Sequence, residues 1–525
     1  MSESALLTFS IGPVHSFIGQ ARRIADLWAG SRILSLLAGT AIERLHELGG
    51  EPVFPAAKRG AVPRSLPNRI VAEVPLDRAD AIARDLDATV HEEWGRIVRF
   101  ALDTLGEIGL RVSLPPADKG TWDDTLSCSW SWVAENGDYV DASQRGAQLF
   151  AASRVYRPFR QIAETGTKCA ICGERNALPD GNRTNVIAAW ADAEKAPKQA
   201  KLEPFFRERQ TRLCLVCAAK RLHPYSEERE TTRFRSFQDF QPEEGRPYFA
   251  LVAMDGDRLG EALRGEGVAD ADELRALQRR ISAALGHFAD ALRHESSAHL
   301  NVRNLSAVPE GATRRASAPQ LIYAGGEDVL FVCDPRDAIE LAFAVRERYR
   351  AAFVSSDLDP ARYTLSGAVV FAHTKTPAGL LLREADDLLK RKAKEESGRD
   401  SIALALRKRS APPVETVFRW DDPLRKSLTN VVGQLRENQL ASGQTYSFAD
   451  EDRLLSTVLH GAGEWTAWLT WRLSRGAKSK ESAADLAALL TPYFTGKKVD
   501  ALRIARFLAV EVEDREAARA SEATA

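Results

Sequence analysis

Cysteine is scarce, with six in 525 residues, too few for a disulfide framework. Long apolar runs are missing as well. No stretch reaches the roughly 18 consecutive apolar residues a bilayer-spanning helix requires. Neither sign of charge dominates: 72 Lys and Arg meet 73 Asp and Glu, for a formal net charge of −1. That balance excludes a strongly basic nucleic-acid coat and leaves room only for a local basic groove. No repeat of solenoid length occurs. The opening segment, Met1 to Leu7, lacks the basic-then-apolar order of a secretion signal, so the cytoplasm is the expected location. What remains is an ordinary globular balance of 44% hydrophobic and 28% charged residues. It excludes a wholly disordered, collagen-like or coiled-coil chain. At roughly 150 residues per domain, the length predicts three or four domains.

The pattern along the chain predicts an α+β protein. A strand over Leu6 to Ile11 precedes Gly12-Pro13, then a helical pattern through Phe17, Ile24 and Trp28, then a helix from about Ser31 to Leu48. Arg69 to Val74 and Leu110 to Leu114 read as short strands, closing a first domain over 1–150. Residues 151–247 hold two cysteine pairs, many basic residues and a polar run, Tyr225 to Pro247, expected as a linker or loop. A second α+β domain over 248–410 opens with the apolar strand Tyr248 to Met254. Leu274, Leu277, Ile281, Leu285, Phe288 and Leu292 then recur at helical spacing. Leu321 to Ala324 and Val329 to Cys333 flank Gly325-Gly326-Glu327-Asp328, a hairpin signal. Tyr363 to Ala372 is a further strand, Ala378 to Lys394 a helix, and Ser401 to Leu406 a closing strand. After Pro412-Pro413 the periodicity turns helical, which predicts a bundle over 411–525, its last dozen residues frayed.

Cys169-Ala170-Ile171-Cys172 and Cys214-Leu215-Val216-Cys217 repeat one spacing. Two thiolates on one tight turn reach the same ion, and two such turns supply the four sulfurs tetrahedral zinc favours. Positions 173 to 213, 41 residues, must loop out between the pairs. Such a closed site is structural, because it leaves no position for water. The bland alternative is a set of reduced cysteines packed in a subdomain. Cys128 and Cys333 have no such partners and read as small buried hydrophobes.

Met254-Asp255-Gly256-Asp257 follows directly on a strand, and Glu327-Asp328 sits at the hairpin tip about 70 residues later. In a ferredoxin-like sheet the first strand lies beside that hairpin, so Asp255 faces Glu327 or Asp328. Carboxylates at that density repel one another unless a cation neutralises them, and hard oxygen ligands suit magnesium or manganese bound to substrate phosphates. Two such ions activate a ribose 3′-hydroxyl and clamp a triphosphate. Each motif alone reads equally well as a turn.

At these residues the chain resembles the large palm-domain subunit of type III CRISPR–Cas effector complexes, most closely the Cmr (type III-B) branch. The matching stretches run from Ile11-Gly12-Pro13-Val14-His15-Ser16-Phe17-Ile18 through Ala21-Arg22-Arg23 to Asp26-Leu27-Trp28-Ala29-Gly30-Ser31. They continue through the cysteine pairs, Met254 to Gly260, the Gly325 to Asp328 tip, and Ser366-Gly367-Ala368 through Ala372-His373-Thr374-Lys375 to Ala393-Lys394. The resemblance implies two ferredoxin-like, nucleotide cyclase (GGDEF-like) palms, a zinc-binding insert and a C-terminal helical bundle. It implies that the palms hold ATP between them and, when target RNA pairs with guide RNA, join it into cyclic oligoadenylates. The implied partners are other Cmr-type subunits, guide RNA and target RNA.

Carried over by position, Asp255, Glu327 and Asp328 are the catalytic residues and hold magnesium or manganese. Asp257 lies close by as a lesser ligand. Ser31, Gly325, Gly326 and Lys394 contact the nucleotide, with Ser31 opening a helix. Cys169, Cys172, Cys214 and Cys217 hold zinc. Two departures stand out. The family has two aspartates after the glycine pair, where this chain has Glu327 and Asp328; related diguanylate cyclase palms tolerate that glutamate. The chain also has no adjacent His-Asp pair, so no nuclease of that kind is expected. Arg154, Arg157 and Arg160, with Arg207, Arg209, Arg212, Lys220 and Arg221 around the second cysteine pair, read either as an RNA-facing surface or as an ordinary charged face. Two other functions compete with the synthetase: a non-catalytic scaffold for RNA and partner subunits, and a stand-alone nucleotide cyclase. The acidic turn favours enzymes over the scaffold, and the zinc segment and bundle favour membership of a complex.

Overall fold

The structure is a computed structural model that describes residues 3–63, 65–110, 112, 125–155, 165–179, 183–195, 212–226, 247–297, 319–409, 412–475 and 480–512. The first unit runs β1 (Ser4–Gly12), α1 (Val14–Gly19), α2 (Ile24–Glu47), β2 (Glu51–Phe54), β3 (Arg69–Pro75), α3 (Ala79–Glu107), β4 (Ser127–Ala134) and α4 (Tyr139–Ser153). Its sheet has the order β2-β3-β1-β4 with antiparallel neighbours. That is the β-α-β-β-α-β ferredoxin-like arrangement. Alternation decides which face of β3 is covered: Ile70, Ala72 and Val74 point into the core, and the residues between them are half-buried. Most of the stretch expected as a strand from Leu110 to Leu114 lies outside the described residues, as do 227–246 of the expected linker and 513–525.

One helix boundary differs from expectation. Asp26 accepts the backbone N–H groups of Arg22 and Arg23, both at 3.1 Å. This satisfies donors the first turn leaves open, so α2 starts at Ile24. Ser31 therefore sits buried inside a continuous helix and does not open one.

The cysteine-bearing insert contributes α5 (Arg183–Glu194) and α6 (Leu215–Ser226), and α6 packs against α2 and α3. Two cations expected on its outer face are internal instead. Lys220 Nζ donates to the Gln20 carbonyl at 2.7 Å. Arg221 grips Asp26 with two bonds, of 2.8 and 2.6 Å, and the paired side chains are 1% and 2% exposed. Burial by itself would raise the Asp26 carboxyl; the Arg221 charge overcomes that and holds it below its ordinary range. Arg157, Arg160, Arg207 and Arg209 lie outside the described residues.

The second palm runs β5 (Tyr248–Gly256), α7 (Leu259–Leu263), α8 (Ala271–Ser297), β6 (Gln320–Gly325), β7 (Asp328–Cys333), α9 (Ala338–Ser355), β8 (Leu365–His373) and α10 (Ala378–Leu388). A wider π-type stretch, Leu389–Glu396, continues α10, and β9 (Ser401–Arg407) follows. The strand order β8-β5-β7-β6 repeats the topology of the first palm, with β9 and β10 (Val414–Arg419) added beyond β8. β10 corrects the expected boundary at 410. Pro412 and Pro413 do not open a helix there; the strand Val414–Arg419 pairs with β9 and buries Val414, Val417 and Phe418.

Both faces of this sheet are covered. Leu251, Val370 and Ala403 join the core of the first palm. Val252, Val369 and Leu404 face the other way, toward α8, α9 and the C-terminal helices. Those are α11 (Pro423–Arg436), α12 (Gln444–Leu455), α13 (Ala462–Ser474), α14 (Lys480–Thr495) and α15 (Asp500–Arg506). Among the described residues, no helix is long and apolar enough to cross a membrane.

The Asp26–Arg221 pair is a buried ionic tie between insert and palm. Asp26→Asn leaves a buried guanidinium uncompensated, which costs about 3–5 kcal/mol. Chemical denaturation of the full chain is expected to show that loss as a lower midpoint at unchanged slope.

Candidate active site

Register builds the acidic cluster. β5 pairs antiparallel with β7, Met254 opposite Val329, so Asp255 comes next, opposite Asp328. On the other side of β7, Gly325 pairs with Asp328, leaving Gly326 and Glu327 as a two-residue turn. Gly326 has φ of 66°, the left-handed backbone that the first turn position demands and that glycine adopts at no steric cost. Gly256 is required for a different reason. A side chain there would meet Glu327 Cβ at 2.8 Å, so only glycine lets the hairpin tip close on the end of β5.

Three carboxylates thus share one small volume. Burial first, then the Asp255 charge, pushes the Glu327 carboxyl up to about 7. Asp328 is raised well above its ordinary range by the surrounding walls and by both neighbouring carboxylates, although its surface is open to the cleft. Lys394, at the end of the π-type stretch, donates to the Asp255 carboxylate and to the Gly256 carbonyl at 3.1 Å. It therefore lies on the acidic cluster. Asp257 is only 1% exposed and fully engaged. It accepts from Ser366 at 2.9 Å, from Thr364 at 2.8 Å and from the Asp400 N–H at 3.1 Å. Those bonds make it a brace for the turn.

The cluster opens on a cavity of about 190 Å³ between the two palms. Thr8, Asn68 and Arg69 of the first palm line one side, and Gly325, Glu327 and Asp328 line the other, with Arg154 and Arg264 at its edge. The palms touch here: Ser65 donates to the Ala324 carbonyl, and a side chain on Gly326 would lie 3.5 Å from Pro67. Burial and then repulsion from Arg264 hold the Arg69 guanidinium below its ordinary range. Cations crowded together without enough counter-charge favour an anion between them. Arg69 and Arg264 carry no motif; Arg264 follows α7 of the second palm, and only the approach of the palms joins Arg69 to the carboxylates. Ser31 is not among the cavity-lining residues.

The cysteine pairs also converge. All four Sγ atoms lie within 4.8 Å of one another, and Cys172 and Cys214 are 3.8 Å apart. The backbone N–H groups of Ile171 and Cys217 point at Cys169 and Cys214 Sγ, at 3.4 and 3.5 Å. Hydrogen bonds from Cys169 and then from the other two thiols hold the Cys172 thiol far below its ordinary range. A four-sulfur set of this size fits a tetrahedral soft-metal site.

Comparison with known proteins finds this architecture elsewhere. Residues 248–403 match the family described as Cas10/Cmr2, second palm domain, and residues 6–99 match CRISPR-associated protein Cmr2, N-terminal. The CRISPR system Cmr subunit Cmr2 of Pyrococcus furiosus is 22% identical over a 576-residue alignment that covers 80% of this chain and 63% of that protein. The chain thus spans less than two thirds of that relative's length. Among solved structures, the type III-B Cmr-beta apo state superposes with a TM-score of 0.56 at 13% identity, covering 90% of this chain and 77% of the other. The Csm1-Csm4 cassette in complex with cA4 gives 0.51 at 12% identity, covering 97% and 70%. The sequence matches fall on both palms and bear out the resemblance to the Cmr-branch large subunit.

Two outcomes follow from the charges. A carboxyl raised to about 7 stays protonated in the folded chain at pH values where the unfolded chain has released its proton. Its contribution is therefore lost as pH rises from the ordinary glutamate range through 7. In buffer free of divalent ions, the melting midpoint is expected to fall over that window, with a shallower slope in Asp255→Asn. For the cysteines, Cys172→Ser is expected to lower the metal retained per chain and the melting midpoint.

Proposed function

We propose that the chain is the large subunit of a type III CRISPR RNA-guided effector complex. On target RNA binding it converts ATP into cyclic oligoadenylates by nucleotidyl transfer. The observation that carries this reading is the clustering of Asp255 with Glu327 and Asp328, the latter two lining the inter-palm cavity together with Arg69 of the other palm. The nucleotide-bound Csm1-Csm4 cassettes that share the fold support it.

Asp255, Glu327 and Asp328 would hold magnesium or manganese. The donor set fits, being hard carboxylate oxygens with more negative charge than Lys394 alone offsets. Such an ion, when bound, supplies acidity to a ribose 3′-hydroxyl and neutralises phosphate charge. The residues of the chain do the rest. Arg69, Arg154 and Arg264 attract the triphosphate. At the turn, a side chain on Gly326 would meet nothing nearer than Pro67 at 3.5 Å, which leaves room for a phosphate close to the backbone. The palm-to-palm contact at Ser65 and Pro67 sets the two walls at a fixed distance, which orients the reacting groups. The Cys169, Cys172, Cys214 and Cys217 set would hold structural zinc, tying the insert to α2 and α3.

A scaffold role without catalysis has one observation in its favour: Lys394 already neutralises Asp255. The test is the assembled complex with ATP, magnesium and RNA complementary to the guide. Cyclic oligoadenylate is expected, with Asp255→Ala lowering the yield about a hundredfold or more. No product from the wild type, or an equal yield from Asp255→Ala, would leave the scaffold role standing. Product from the isolated chain without RNA would instead identify a stand-alone cyclase.

A further inference from the structure

A second cluster of metal-ligand side chains lies in the first palm, apart from both sites above. Asp87 and His91 stand one turn apart on α3, spacing that brings side chains onto one helix face. Cys128, near the start of the edge strand β4, comes up against them. One ligand atom from each of the three lies within 4.8 Å of the other two. We infer that Asp87, His91 and Cys128 form a second transition-metal site, suited to zinc.

The chemistry selects the ion. A thiolate, an imidazole and a carboxylate make a borderline-soft donor set that suits zinc or cobalt and discriminates against magnesium and calcium. Ionised Asp87 and Cys128 together carry two negative charges, which a divalent cation offsets. Ligand atoms around tetrahedral zinc sit roughly 3.5 Å apart, so modest side-chain rotations bring this trio to bonding distance. The ring is already steered: His91 Nδ1 lies 2.9 Å from the Asp87 carbonyl and 3.2 Å from Asp87 Oδ1. Binding forms a metal–sulfur bond and releases the Cys128 proton to solvent. The Asp87 and His91 side chains are 33% and 28% exposed, so an ion can enter from solvent and water can take a fourth position.

The site also has a structural consequence. Asp87 and His91 belong to the long helix α3 and Cys128 to the strand that follows it in the chain, with 108–126 connecting them. Among the described residues, β1 is the one strand that pairs with β4. An ion bridging α3 and β4 clips that edge strand to the helix covering the sheet.

Metal counting on the full chain, loaded with zinc and desalted, tests this. Wild type is expected to retain two equivalents, and Cys128→Ser and His91→Asn are each expected to lose one. Cys172→Ser is expected to lose the other equivalent. Loaded with cobalt, Cys172→Ser is expected to keep a thiolate-to-cobalt absorption that the added Cys128→Ser change abolishes. In the Cys172→Ser background zinc is also expected to raise the melting midpoint, and the double variant should not respond. Circular dichroism of Cys128→Ser checks that the palm still folds. A wild-type metal content that Cys128→Ser and His91→Asn both leave unchanged would overturn the inference.

Discussion

Negative charge confined in a small volume is the constraint around which this molecule is arranged. Asp255, Glu327 and Asp328 come from the ends of neighbouring strands, where antiparallel register leaves them no way to separate. Their mutual repulsion and partial burial raise two of the three carboxyls. Such an arrangement persists only when the surrounding framework over-determines it. Here the framework is a six-stranded sheet buried on both faces, with Asp257 bolting the turn after Asp255 to β8 through Ser366. Positive charge is then supplied from two directions. Lys394 arrives on a distorted helix end within the same palm, and Arg69 arrives from the other palm. The acidic centre is thus completed by the meeting of two domains with the same topology.

That meeting is secured at a distance by a second buried charge. Arg221 on α6 and Asp26 at the start of α2 neutralise each other with almost no solvent contact, and Lys220 caps a carbonyl at the end of α1. The cysteine-bearing insert is therefore locked into the first palm through side chains that a surface reading assigns to solvent. α2 in turn packs against β6, one strand of the hairpin that carries Glu327. A continuous run of packed elements thus connects the four sulfurs to the acidic tip. The physical warrant is packing and burial; coupling between the two ends would need a second arrangement of these elements.

Much of this was legible along the chain, and the reasons differ by element. β6 and β7 were readable because turn chemistry is local: two glycines between apolar runs specify a tight hairpin whatever surrounds it. The cysteine pairs were readable because each turn is self-contained. The start of α2 is hidden in the sequence because the capping carboxylate, Asp26, lies inside the helical pattern, and Gly30-Ser31 mimics a helix opening. β10 is not legible locally, because Pro412-Pro413 resembles a helix entry and only pairing with β9 makes an extended segment of six residues worthwhile. Lys220 and Arg221 are buried, which composition cannot show because it carries no information about burial.

The sequence by itself determined the hairpin that carries Glu327 and Asp328 and the spacing of each cysteine pair. Both of these are set by residues within a few positions of one another, where backbone geometry leaves few choices. Only the tertiary structure decided that Arg69 faces the carboxylates, that Lys394 lies on Asp255, that Asp257 is a brace, and that Cys128 meets Asp87 and His91. Those relations join points tens to hundreds of residues apart. They depend on how sheets stack and helices dock, which is settled by the burial of whole faces rather than by local preference.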